Sequence, residues 1–323
     1  MKKSLIALAV LGFAGAAMAQ SSVTLYGVAD AGVARIQAYD ENGDKRSLTA
    51  FSSAGLMNNA DSRVGLRGVE DLGGGLKVGF NFETGLSLGT GASTGNAFWQ
   101  RQAHLWIGGN WGTVKLGRAF TPSFLGVDAW ELTGVANYSV VAATYGVGGF
   151  GTPFRNSSQI SYKTPNLGGF SAEVGYILKN NGLWDNDLAG AKWDVNAIYA
   201  NGPISAGLSV NKAKSEKTNY AIGGKYDFGM FAVAAGYHSG DLYDALWIDH
   251  IRRRGFSLGG STDLGPFALT LDFTRDTRNS AGKKYTNALL EGKYALSRRT
   301  FVYAAYLRLD GDNNYGMGLQ HSF

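Results

Sequence analysis

Residues 62–85 read SRVGLRGVEDLGGGLKVGFNFETG. Arg63 and Arg67 alternate with Val64 and Leu66, and Lys77 and Glu83 fall on the opposite register from Val78, Phe80 and Phe82. Period two places successive side chains on opposite faces of a strand. Each strand therefore has one charged and one apolar face. The DLGGGLK between them lacks the G-K-[ST] of a phosphate loop and lies between strands, so it reads as a hairpin turn.

The same alternation recurs outward from this hairpin in both directions. Ile160 and Tyr162 alternate with Gln159, Ser161 and Lys163, and Trp193, Val195, Ala197 and Tyr199 with Lys192, Asp194 and Asn196. No amphipathic helical period interrupts it convincingly. Short connections at 71–75, 108–112, 165–169, 201–203, 229, 264–266 and 297–299 alternate with longer ones around 39–61, 86–96, 119–154, 180–190, 215–217, 239–251, 278–283 and 311–313. This pattern predicts sixteen antiparallel strands with one smooth end and one ornate end. A soluble sandwich would bury its apolar faces against each other and wet its polar faces. A closed barrel in lipid wants apolar, aromatic-rich outer faces and pairs every backbone group strand to strand. The whole fold is therefore expected to be an all-β, 16-stranded antiparallel transmembrane β-barrel. The last strand agrees: Tyr315, Met317, Leu319 and the terminal Phe323 share one parity.

Composition narrows the class further. Lys2 and Lys3, the apolar run 5–17 and Ala17-Met18-Ala19 read as a secretory signal peptide over residues 1–19, leaving a single domain over 20–323. The chain holds 47 glycines and no cysteine, so neither disulfides nor thiolate metal sites are available. A formal charge of +5, two lysines of which lie in the leader, is too small to argue for nucleic acid. His104, His238, His250 and His321 have no zinc spacing, and no G-x-S-x-G occurs, so neither a metal site, a cofactor nor an enzyme is expected. Asp40, Glu41 and Asp44 form an acidic loop cluster, read as solvated before any role with divalent cations and lipopolysaccharide. Arg252, Arg253 and Arg254 are read as a rim that attracts anions or a contact to lipid phosphates.

SSVTLYGVADAGV (21–33), the stretch 62–85, RQAHLWIGGNWGTVKLGRAFTP (101–122), FRNSSQISYKTPNLGGF (154–170) and GLQHSF (318–323) together resemble the general porins of Gram-negative bacteria, of the beta-proteobacterial and neisserial type. The resemblance spans essentially the whole chain. It implies short periplasmic turns, longer external loops, a homotrimer in the bacterial outer membrane among lipid and lipopolysaccharide, and passive diffusion of small hydrophilic solutes and ions. The C-terminal Phe323 resembles the signal recognised by the barrel assembly machinery.

A barrel of this size leaves an aqueous channel, and whatever narrows it sets selectivity. The connection 119–154 is too long for an ordinary turn and rich in Val, Ala, Phe, Tyr and Trp, so it is expected to fold into the lumen. It carries the acids Asp128 and Glu131 and no Lys or Arg before its final strand. By parity Arg63 and Arg155 point inward. The resemblance places Arg63, Arg101 and Arg155 as the constriction arginines, with Asp128 and Glu131 as the opposing acids. Arg101 shares parity with the outward Leu105 and Ile107, so either a bulge turns it inward or His104 is the wall residue. Arg67, Lys77, Glu83, His104 and Lys115 are expected to line the lumen. These charges predict a general diffusion pore with a weak preference for anions; a channel with a dedicated solute-binding site is the alternative.

Overall fold

The computed structural model describes residues 22–39, 44–147, 154–178, 192–213, 217–243 and 250–323. The expected leader 1–19 and the acids Asp40 and Glu41 lie outside the described residues.

Closure of the sheet is decided at β1 (Ser22–Tyr39). One edge pairs with β18 (Asp312–Ser322), with Val28 opposite Ser322 and Arg35 opposite Tyr315. The other edge pairs with β2 (Lys45–Ser52) along its outer half and β3 (Arg63–Gly73) along its inner half. β2 and β3 thus fill one position in the wall, interrupted by residues 53–62. The wall continues through β4 (Leu76–Leu86), β6 (Gln102–Gly109), β7 (Gly112–Phe120), β8 (Arg155–Lys163), β9 (Phe170–Ile177), β10 (Lys192–Asn201), β11 (Ile204–Ala213) and β12 (Asn219–Asp227). It is completed by β13 (Phe231–Tyr243), β14 (His250–Leu264), β15 (Phe267–Asn279), β16 (Thr286–Ser297) and β17 (Thr300–Leu309), each antiparallel to its neighbours. With the two-residue β5 (Ser93–Thr94) set aside, these make a closed barrel of sixteen strands. No edge remains to be covered.

Its faces are inverted relative to a water-soluble domain. Leu25 and Met317 are 60% and 65% exposed, whereas Asp30 and Asp194 are fully buried. An apolar core lies inside the barrel, between the inward loop and the wall. It gathers Trp130, Tyr138, Val140, Val141 and Tyr145 against Leu289, Tyr303 and Leu307.

Two connections depart from expectation. The region 39–61, expected to be one external loop, contains β2 and then turns into the lumen at 53–62. Asp30 Oδ1 accepts from Asn58 Nδ2 (2.8 Å) and the Tyr303 hydroxyl (2.6 Å), and its Oδ2 accepts from the Ala60 N–H (2.9 Å). A buried carboxylate with three donors fixes that segment. The external connection at 311–313, expected to be longer, is tight: only Asp310 (φ 52°) and Gly311 (φ 94°) separate β17 from β18. In the opening hairpin Gly73, Gly74 and Gly75 all have positive φ (84°, 60° and 82°), a region that L side chains rarely adopt.

Candidate functional site

The long connection enters the barrel through α1 (Pro122–Asp128), continues through α2 (Val140–Thr144), and is fastened at several levels. Thr121 caps α1 by accepting from the Phe124 N–H (3.1 Å), and Pro122 sits at the first turn, where no N–H is needed. Asp194 on β10 accepts from the Ser123 N–H (2.7 Å) and hydroxyl (3.0 Å), while Asn196 Nδ2 donates to the Pro122 carbonyl (2.7 Å). Farther along, the Trp130 indole lies over Gly223 of β12 and Gly236 of β13, where a Cβ on either glycine would collide with the ring. Gly126 approaches Gly207, and Gly146 approaches Gly240, with the same backbone-to-backbone closeness. The inner wall is therefore a track of glycines on which the loop rests. The Tyr145 ring stacks on His238 (4.2 Å) and its hydroxyl shares a hydrogen bond with Ser257 (2.8 Å). At the far end Asn137 Nδ2 donates to Asp61 Oδ1 (2.8 Å) and the Gly55 carbonyl (3.1 Å), tying the loop to the 53–62 segment.

Between this loop and the opposite wall lies a cavity of about 750 Å³. Its charged lining is Arg63, Arg67, Arg101 and Arg155 against Asp61, Glu83 and Asp128. Four cations thus face three carboxylates. Arg101 precedes the first residue of β6 and escapes strand parity: its Nε donates to Glu83 Oε1 (2.7 Å) and its Nη1 to Asp61 Oδ2 (2.6 Å). Arg63 Nε lies 3.6 Å from Glu83 Oε2, and the Tyr26 hydroxyl donates to the same oxygen (2.9 Å). Arg67 lies over the Tyr26 ring at 5.3 Å.

Arg155 is held differently. The β7–β8 register sets Phe120 opposite Arg155, whose guanidinium carbon lies 4.2 Å from the Phe120 ring centre and 4.6 Å from that of Phe154. It forms no ion pair among the described residues, and its buried Nε–H has no acceptor. The rings stabilise the cation without cancelling its charge.

The two loop acids also separate. Asp128 lines the cavity. The protein crowding around it, followed by the Glu131 charge, raises its pKa above the ordinary carboxylate value, with Lys225 of the wall opposing. Glu131, expected to oppose the arginines, is instead 2% exposed and does not line the cavity. Its carboxylate accepts from the Thr133 N–H (2.9 Å) and hydroxyl (2.7 Å), the Val135 N–H (2.7 Å) and the Ser139 hydroxyl (2.6 Å). It organises the loop's own turn.

Deeper in the lumen, His104 points inward opposite Asn81, its Nδ1 3.2 Å from the Arg118 carbonyl oxygen. Strand β6 pairs with β4 over 102–108 without a register shift, which turns His104 inward; Arg101, just before that ladder, also reaches the cavity, its N–H donating to the carbonyl of Glu83 (3.1 Å), the residue that Gln102 faces. Lys115 pairs with Glu173 (2.8 Å). Lys77 stands exposed opposite Asp71 and Gly108, beside the turn. Among the three successive arginines, Arg253 is 4% exposed and bound by Asp276 (2.9 Å) and Asp310 (2.8 Å), and Arg252 by Asp241 (2.8 Å). Those ion pairs engage two of the three arginines expected to form an anion-attracting rim or a contact to lipid phosphates. Sequence reasoning missed Asp61 and Lys225. Asp61 shares parity with Arg63, and extending that strand by two residues would have found it.

The family described as Gram-negative porin matches residues 4–314. The chain belongs to that family. It is 33% identical to outer membrane porin protein 32 of Delftia acidovorans, over 99% of this chain and 93% of that one. It is 29% identical to major outer membrane protein P.IB of Neisseria gonorrhoeae over 75% of this chain and 69% of that one. Among solved structures, the anion-selective porin from Comamonas acidovorans superposes with a TM-score of 0.75 at 26% identity, covering 94% of this chain and all of that one. This porin is therefore an outer-membrane protein whose barrel is a general diffusion channel.

Proposed function

We propose that the porin conducts small hydrophilic solutes and ions with a preference for anions, set where Arg155 faces the cavity. The observation that carries this reading is Arg155, which like Arg67 lines the cavity without an ion pair among the described residues. Arg63 and Arg101 share Glu83 and Asp61, whereas Arg155 has aromatic rings for neighbours. With Glu131 withdrawn, positive charge exceeds negative charge in the cavity lining. In a narrow channel with protein walls such a charge is screened less than in bulk water. The similar anion-selective porin from Comamonas acidovorans supports the same sign.

The reading also includes export with cleavage after Ala19, assembly through the C-terminal strand, and a homotrimer embedded among lipid and lipopolysaccharide. Reconstitution in planar bilayers under a potassium chloride gradient tests the selectivity. A reversal potential of the chloride-favouring sign is expected, and the potassium-favouring sign overturns the reading.

A further inference from the structure

The surroundings of Arg155 specify more than charge. Phe120, Phe124 and Phe154 form one aromatic cluster: Phe120 and Phe124 stack at 4.9 Å and 7°, and Phe124 meets Phe154 at 5.6 Å. The guanidinium lies over two of those rings. Leu125, on the same inward helix, and Leu56 and Val135 line the same cavity. The opposite side offers Tyr26, Asn81, Arg67 and the Glu83 cluster. The cavity is thus polar on one side, and on the other carbon surrounds Arg155, with Asp128 at the end of the helix that carries Leu125.

An inorganic anion that reaches Arg155 gives up hydration against carbon and gains only the guanidinium. A carboxylate carried on a flat ring gains twice. Its oxygens accept from the cavity-facing part of the Arg155 guanidinium in a charge-assisted bond, and its ring removes apolar surface from water against Leu125 and the phenylalanines. An aromatic amine would place a second cation beside Arg155 and is disfavoured. A neutral ring gains nothing from the guanidinium charge.

We infer that the Arg155 corner is a binding subsite for aromatic monocarboxylates, of which benzoate is the simplest. This rests on the anion preference proposed above and gives it a substrate class. The test adds benzoate, acetate or benzyl alcohol to the full-length protein in planar bilayers and reads the chloride current. Benzoate is expected to halve the current at a concentration about ten-fold below that of acetate, the worth of partly burying one ring. Benzyl alcohol is expected to have no effect. Arg155→Gln should abolish the benzoate effect, and Leu125→Ser should bring benzoate close to acetate. If benzoate and acetate act at equal concentrations in a pore that still favours chloride, the subsite is overturned and the anion preference stands. If benzoate keeps its advantage in the Leu125→Ser pore, the apolar lining is not its cause and the subsite is likewise overturned. A potassium-favouring pore overturns the preference, and the benzoate-to-acetate ratio then decides the subsite separately.

Discussion

Arg101 and Arg155 line one cavity from two regions that treat a guanidinium in opposite ways. At the start of β6, Arg101 is clamped between Glu83 and Asp61, and Arg63 and Tyr26 crowd the same carboxylate. At the start of β8, Arg155 rests on phenylalanine rings, with no carboxylate within ion-pair distance among the described residues. Equal formal charges therefore present unequal fields to a passing ion. The loop acids repeat the lesson with opposite sign: Asp128 faces the cavity, whereas the Glu131 carboxylate is consumed by four donors of its own turn. Counting charged residues near a pore is a poor guide until their partners are known.

The comparison holds only while the loop stays on the wall, so releasing the loop should have the largest effect. Trp130→Ala leaves the space above Gly223 and Gly236 empty and is expected to cost about 3–5 kcal/mol. Single-channel recordings should then show higher, noisier conductance with blurred selectivity, and a quiet wild-type trace would mean that the indole does not hold the loop. Next in size is Arg155→Gln, which should lower the chloride-to-potassium permeability ratio several-fold because it removes a charge that no ion pair compensates. Glu83→Gln should act in the other direction. It unmasks Arg63 and Arg101, raises the permeability ratio, and costs stability of about 1–3 kcal/mol through lost charged hydrogen bonds, measurable as a lower barrel-unfolding temperature. The paired change Arg101→Gln with Glu83→Gln removes a cation and an anion together. Its permeability ratio should stay closer to wild type than that of either Arg155→Gln or Glu83→Gln; a shift as large as that of Arg155→Gln would erase the distinction between the two regions.

The smallest effect should come from pH. The raised pKa of Asp128 means that, on acidification from neutrality, it takes up its proton before an ordinary aspartate does. Protonation removes negative charge from the cavity, so anion preference should rise as the pH falls through that range. Asp128→Asn should show the higher preference already at pH 7 and lose that part of the pH dependence. A wild-type ratio that falls on acidification would contradict the sign.

Much of the wall was legible because a strand reports its two faces through period two, and lipid outside with water inside makes those faces chemically different. Parity placed Arg63, Arg67, Glu83 and His104 on the inner face, and the alternation of short and long connections separated the two ends. Parity has no authority beyond the regular ladder. Arg101 stands one residue before β6, and its direction follows from Glu83 and Asp61, which lie 18 and 40 residues away in sequence. The inward turn of 53–62 was hidden for a similar reason: its anchor is Asp30, supported by Tyr303 from the far end of the chain.

By itself the sequence determined an exported, cysteine-free, sixteen-stranded barrel with an apolar exterior and a long connection suited to the lumen, because local alternation and connection length are properties of contiguous residues. Only the tertiary structure decided which charges remain uncompensated there. Phe120 stands opposite Arg155 because β7 and β8 pair across the register shift between Gly117 and Ala119, and the glycines scattered through β11, β12 and β13 become a seat for the loop only when those strands align. Neutralisation depends on partners brought together by closure of the barrel, and no stretch of contiguous residues contains that information.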